Sequence, residues 1–217
     1  TLSSSSAASD VYKRQELRLI SCHLGNGQSV CAVRKGKSFN TSMGFTPLEG
    51  LPMGTRSGSF DPEIVLFMLG HGYSADEIKN TINKKSGLLG VSGISSDHRI
   101  IEEKSREGNP SALLANKMLI IRLVHLIGAY AAEMGGVDGI IFTGGIGEHS
   151  SDLREQVLSH FSYLGLRFDR EANLRHDRVI TEPESAVAAL VIPTDEELQI
   201  CREVRQAIKN SFPPTSA

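Results

Sequence analysis

The sequence predicts an α/β fold on one mixed sheet, in which an antiparallel meander feeds alternating helices and strands. Three observations carry that expectation. Short β-type runs joined by Gly and Asn turns fill Leu17–Ser42. A long apolar helical pattern stops at Gly135-Gly136 and leads into the buried run Gly139–Phe142. After a further helix comes a second buried run, Ala186–Ile192, and helices between strands are what a parallel pairing requires.

Length and composition narrow the choice. With 217 residues there is room for one large domain or two small ones. The net charge is −2, so no basic field points to nucleic acid or an anionic membrane as partner. Cys22, Cys31 and Cys201 lack metal or redox spacing, which fits free thiols in a reducing, cytoplasmic setting. The longest apolar stretch, Leu113–Met134, is interrupted by Asn116, Lys117, Arg122, His125 and Glu133, and reads as a buried helix rather than a membrane span. Residues 1–15 are rich in Ser and Ala and have neither an apolar signal core nor a periodic face. They read as a disordered or foreign leader, with the folded part at 16–210 and a tail at 211–217. The folded part opens abruptly on a strand, which predicts a chain lacking something upstream. No internal repeat is found.

The elements follow in order. Leu17–Leu24 is the first strand and runs into Gly25-Asn26-Gly27, a turn that tolerates positive φ. Ser29–Arg34 and Lys37–Ser42 complete the meander across the Lys35-Gly36 turn. As a bare pattern, His23–Gly27 fits a simple hairpin. Thr41–Pro62 holds Gly44, Gly50, Gly54 and Gly58 with Pro47, Pro52 and Pro62, which excludes a long regular element. Its Met43, Phe45, Leu48, Leu51 and Met53 predict an ordered, packed loop. Arg56, the only cation there, lies between Gly54 and Gly58, and its rigid fork suits phosphate or carboxylate oxygens.

Asp61-Pro62 caps and starts a helix to Leu69, and Ser74 with Glu77 forms a capping box opening another to about Lys85. Ser86–Gly93 reads as a glycine-bearing connection. Ser95 or Ser96 is expected to cap a helix to about Glu107, with Asp97, His98 and Arg99 in its first turn; these can bind a ligand or simply suit the helix dipole. Asn109-Pro110 starts the long helix to Met134, where His125 reads as a core histidine. In Gly139–Ser150, GIIFTGGIGEHS, a strand breaks at Thr143–Gly147 and polar residues lead into a helix over Asp152–His160. Such a corner leaves backbone N–H groups unpaired and serves as phosphate cradle or packing turn alike. Leu166–Phe168 and Val179–Thr181 look like short strands, and Thr194 with Glu197 forms a capping box for the last helix, to about Lys209. This order is one half of an actin-like ATPase (ribonuclease H-like) fold, a mixed sheet with helices on both faces.

Five segments, CHLGNGQSV, TSMGFTPLEGLPMGTRSGSFDP, KKSGLLGVSG, FTGGIGEHS and VIPTDEEL, closely resemble the acetate/propionate kinase (acetokinase) family in order and separation. The resemblance runs from Leu17 to about Lys209 and corresponds to the family's C-terminal half. It implies a reversible ATP-dependent phosphorylation of acetate to acetyl phosphate, with ATP or ADP and Mg2+ bound, in a homodimer. Propionate or butyrate kinase is the alternative within the family, and a nucleotide-binding or dimerisation module without turnover is the alternative outside it. Residue by residue, it implies that His23, Leu24, Gly25, Asn26 and Gly27 line the ATP phosphates. Arg56 stabilises the transition state, and Asp97, His98 and Arg99 contact the nucleotide. Gly145, Ile146, Gly147, Glu148 and His149 receive the adenosine end, and Glu196 binds magnesium. His149 stands where the family pattern has Asn, and His98 where the family is often larger and apolar. The family's first phosphate motif, its acyl-phosphate-binding arginine and its catalytic histidine and aspartate belong to the other half.

Overall fold

The structure, a computed structural model, describes residues 17–211, apart from the side chains of Glu196 and residues 209–211. The leader expected at 1–15 and nearly all of the expected tail lie outside the described residues. Five strands form one sheet in the order β3-β2-β1-β4-β5. Strands β1 (Arg18–Leu24), β2 (Gln28–Arg34) and β3 (Lys37–Thr41) are the antiparallel meander, with a bulge between Ala32 and Val33. β4 (Gly139–Thr143) pairs in parallel with β1, and β5 (Ala188–Val191) pairs in parallel with β4. This is the mixed sheet of the actin-like ATPase fold.

Alternation decides which side of the meander is inside. Ile20, Cys22 and Leu24 of β1 and Val30 and Ala32 of β2 are fully buried, while their alternate neighbours are half-buried. The helices run α1 (Glu63–Gly70), α2 (Ala75–Lys84), α3 (Gly87–Ser92), α4 (His98–Arg106) and α5 (Pro110–Met134). After β4 come α6 (Gly144–His149), α7 (Ser151–Leu158), a 3-10 turn (Ser159–Leu164), α8 (Arg170–Leu174) and, last, α9 (Glu196–Ser211). Among the described residues α5 is the one helix long and apolar enough to cross a membrane. Here it packs on β1 and β2 and supplies Leu119, Leu123 and Ile127 to the core. Burial pushes the Cys22 thiol up to about 12, so it stays a protonated apolar side chain.

Local chemistry sets the helix ends. Asp61 Oδ1 accepts the Glu63 N–H ahead of α1, the Ser74–Glu77 capping box is present, and Asn109 caps α5 before Pro110. Five expectations change here. Ser86–Gly93 is not an open connection, because α3 forms there and is pinned by Leu88 and Leu89 N–H groups on the carbonyls of Met53 and Gly54. Asp97, rather than Ser95 or Ser96, caps α4, its carboxylate accepting the Arg99 N–H. The glycines after Thr143 wind into α6 instead of a plain turn. Asp195, not Thr194, accepts the Leu198 N–H at the start of α9, because Thr194 is bonded to Glu148. The short strands expected at 166–168 and 179–181 reduce to single bridges, Phe168 to Thr181 and Val179 to Leu190.

The parallel pair is tied at its start. Arg18 donates from Nε, Nη2 and its backbone N–H to the Asp138 carboxylate, and Asp138 N–H returns a bond to the Arg18 carbonyl. Hydrogen bonding from Arg18 holds the Asp138 carboxyl below its ordinary range, against an opposing desolvation. A depressed carboxyl contributes stability above the unfolded-state value of about 3.9 and loses it as pH falls through the folded value. Asp138→Ala is therefore expected to destabilise by about 1 kcal/mol at pH 7, discounted because a third of each side chain meets solvent. The difference should shrink as pH falls below the ordinary carboxylate value, in urea melts compared with the parent chain.

Candidate active site

The cavity that matters opens where β1 and β4 end. β1 delivers the turn Gly25–Gly27 and β4 delivers α6, and the two are side by side because His23 stands opposite Thr143 in the parallel register. In open α/β sheets ligands bind at such carboxyl ends. Gly144 makes the junction possible: its φ is +77°, and a Cβ there would lie 2.7 Å from the Leu24 carbonyl oxygen. The resulting cavity measures about 460 Å3, within the usual range for small-molecule sites.

At one end of the cavity lie Gly25, Asn26 and Gly54. The Asn26 carbonyl accepts the Gly54 N–H at 3.3 Å, and a Cβ on Gly54 would strike Asn26 Oδ1 and the Ser96 carbonyl. The glycine turn and the Arg56 loop therefore touch with no room for a side chain on Gly54. Gln28, fully buried, adds a bond from Nε2 to the Pro52 carbonyl. Arg56 does not line the cavity but stands beside its turn, with Nη1 on the Pro47 carbonyl at 3.3 Å and 3.7 Å from where a Cβ on Gly27 would sit. Its Nε and Nη2 make no hydrogen bond among the described residues.

The other walls come from α4 and α6. Asp97, His98 and Arg99 line one side, and Gly145, Ile146 and His149 the other. A Cβ on Gly145 would meet nothing within 4 Å, so its bare face is open to a ligand. Arg99 folds back on Asp97 with Nη2 at 2.6 Å, which holds the Asp97 carboxyl low. His98 is 3% exposed, and its Nε2 meets Asn116 Oδ1 at 3.1 Å, so the proton is on Nε2 and Nδ1 is left as an acceptor. Burial pushes the His98 pKa below its ordinary value, opposed by Asn116 and by the charges of Glu102, Asp97 and Asp152. His98 is thus neutral at pH 7.

Sequence models and structures of other proteins match this arrangement. The profile described as the acetokinase family matches residues 3–202. The chain belongs to the acetokinase family. It is 50% identical over 211 residues to the acetate kinase of Symbiobacterium thermophilum, covering 95% of this chain and 53% of that protein. Against the acetate kinase of Bacillus subtilis strain 168 it is 51% identical over 198 residues, 90% of this chain and 50% of the relative. Among solved structures, Porphyromonas gingivalis acetate kinase superposes with a TM-score of 0.86 at 44% identity, over 94% of this chain and 53% of the other. A propionate kinase from Francisella tularensis gives 0.83 at 39% identity, over 92% and 52%. The chain spans about half the length of the curated relatives it matches.

This acetokinase chain brings eight of the expected residues onto one cavity: Gly25 and Asn26, Asp97 to Arg99, and Gly145, Ile146 and His149. The others stand apart from it. Leu24 is fully buried in the core, and His23 is half-buried beside Thr143. Gly147 packs against Phe142. Glu148 turns inward, its Oε1 accepting the N–H of Gly144 and both the N–H and hydroxyl of Thr194, so it braces the corner. The Glu196 side chain lies outside the described residues, and those residues include no group of three or more His, Cys, Asp or Glu placed to hold a metal.

Sequence reasoning missed the residue that holds α6 in place. Arg154 is fully buried, and it donates to the carbonyls of Gly147 (2.7 Å), Glu148 (2.9 Å) and Asn173 (3.1 Å), to Asn173 Oδ1 and toward His176 Nδ1. Its guanidinium thereby satisfies the carbonyls at the end of the glycine helix. Burial lowers its pKa to about 10, which leaves it charged at neutral pH. In sequence it sits in SSDLREQVL, indistinguishable from a solvated helix charge. Arg154→Met is expected to leave these acceptors unpaired, destabilising the chain by roughly 3 kcal/mol in urea melts.

Proposed function

We propose that this chain is the nucleotide-binding half of an enzyme that reversibly transfers a phosphoryl group from ATP to acetate, giving acetyl phosphate and ADP. The observation that carries the reading is the single cavity shared by the Gly25–Gly27 turn, the first turn of α4 and the opened face of α6, with Arg56 at the turn's edge. Phosphoryl transfer asks a protein for alignment and for charge around the moving group. The glycine turn lets backbone approach the phosphates. Arg56, with two of its donor nitrogens uncommitted, would take up charge that builds on the transferring group. The bare face of Gly145 and the apolar side chain of Ile146 would receive the nucleoside. Glu196, by its place at the start of α9, is the candidate to help hold Mg2+, which keeps much of its water shell. When bound, that ion would offset the charge of the phosphates.

A propionate or butyrate substrate is the second reading, favoured by the close match to a propionate kinase structure. Isothermal titration tests the main one: MgADP should bind the chain, with acetyl-phosphate turnover awaiting the rest of the enzyme. Absence of binding at millimolar nucleotide would overturn it. In a complete enzyme carrying this segment, Arg56→Ala should reduce turnover roughly a hundredfold with little change in MgADP affinity. Unchanged turnover would remove Arg56 from the mechanism.

We also infer a homodimer. Helix α1 has no buried residue, and its Ile64, Leu66, Phe67 and Leu69 form an exposed apolar surface of the kind that self-association covers. Sedimentation velocity is expected to show a dimer that Phe67→Glu dissociates; a monomeric parent chain would refute it.

A further inference from the structure

The wall between α4 and α6 carries a carboxylate that the sequence gives no reason to single out. Glu102 follows His98 by four residues, so both project from one face of α4, and both line the cavity. Its side chain is 12% exposed. Oε1 is engaged twice, accepting from Ser150 Oγ at 2.8 Å and pairing with Arg106 Nη2 at 3.1 Å. Oε2 has no hydrogen-bond partner among the described residues. That oxygen is open to the cavity, where it can accept from a donor on a bound ligand. The neighbouring His98 Nδ1 is an acceptor as well, since its Nε2 proton is committed to Asn116.

This wall therefore offers two acceptors, the Glu102 charge being shared with Arg106. The phosphates belong at the Gly25–Gly27 end, where a glycine backbone can approach them, which leaves the nucleoside here. A nucleoside seated against it must bring N–H or O–H donors. We propose that Glu102 is a specificity-determining residue of the cavity, its Oε2 accepting a hydrogen bond from a donor on the nucleoside. The proposal rests on the nucleotide reading above and names what that reading leaves open, the feature by which the nucleoside is chosen. Two groups supply the chemistry, the exocyclic amine of the base and a ribose hydroxyl.

Calorimetric titration of the chain and of Glu102→Gln separates them. The ligands are the Mg2+ complexes of ADP, IDP (in which a carbonyl replaces the 6-amino group) and the 2′- and 3′-deoxy forms of ADP. The parent chain is expected to bind ADP at least about tenfold more tightly than the analogue lacking the matched donor. In Glu102→Gln, Ser150 still holds Oε1, so the amide nitrogen turns a donor toward the ligand and that preference should collapse. With the base amine as partner it should invert in favour of IDP; with a ribose hydroxyl, only the deoxy gap should close. Glu102→Asp, which withdraws the oxygen by one methylene, should lose the same preference and serves if the glutamine variant fails to fold. Identical ratios in the parent and variant chains, with ADP still bound, would overturn the role of Glu102 alone. No ADP binding to the parent chain would overturn the nucleotide reading itself.

Discussion

The close approach of Gly144 to Leu24 is the constraint on which the site depends. β1 and β4 run in parallel with His23 opposite Thr143, so both strands end at one level. A chain leaving β4 at that level must turn sharply past the end of β1. Gly144 does so at φ +77° with the Leu24 carbonyl against it, a conformation and a clearance that exclude any side chain. Everything on the cavity's far wall, from Gly145 to Ser150, follows from that turn. The Arg18–Asp138 pair fixes the opposite end of the same strand pair and so holds the register that brings the two exits together.

Rigidity at the site comes from polar side chains spent on backbone. Arg154 takes the last carbonyls of α6, Glu148 takes its first N–H and the Thr194 loop, and Gln28 joins β2 to the Arg56 loop. Each of these hydrogen-bonding side chains spans two elements. The cavity walls are thus set by bonds that a ligand need not supply. The phosphoryl transfer proposed above would draw on such preorganisation, since donors must be in place before charge develops.

The exterior has a different character. α1 exposes Ile64, Leu66, Phe67 and Leu69, and α9 exposes Leu198, Ile200, Val204 and Ile208. Both rows stay exposed, while the sheet's inner face and α5 form a continuous core. A molecule this unevenly covered is suited to association along those helices, in keeping with the dimer inferred above.

Much of this was legible in the sequence, because the signals are local. Alternating burial in β1 and β2, the Ser74–Glu77 box, Asn109-Pro110 and the glycines after β4 each fix their element through nearest-neighbour geometry. The order of elements gave the fold class, and five motifs in series gave the family. The motifs could not tell which residue of each segment faces the ligand. Gly145 and Glu148 are three residues apart in one motif, yet one opens onto the cavity and the other braces the corner from behind. Arg154 and Glu102 look like solvated helix charges until packing buries the first and turns the second inward. Burial and hydrogen bonds between separate elements, Arg154 to Gly147 and Asn173 or Glu102 to Ser150, arise only when the helices dock. The sequence by itself therefore determined the elements, their order and the chemical types available. Tertiary packing decided which of those groups line the cavity and which brace its walls, because that choice depends on contacts no local pattern encodes.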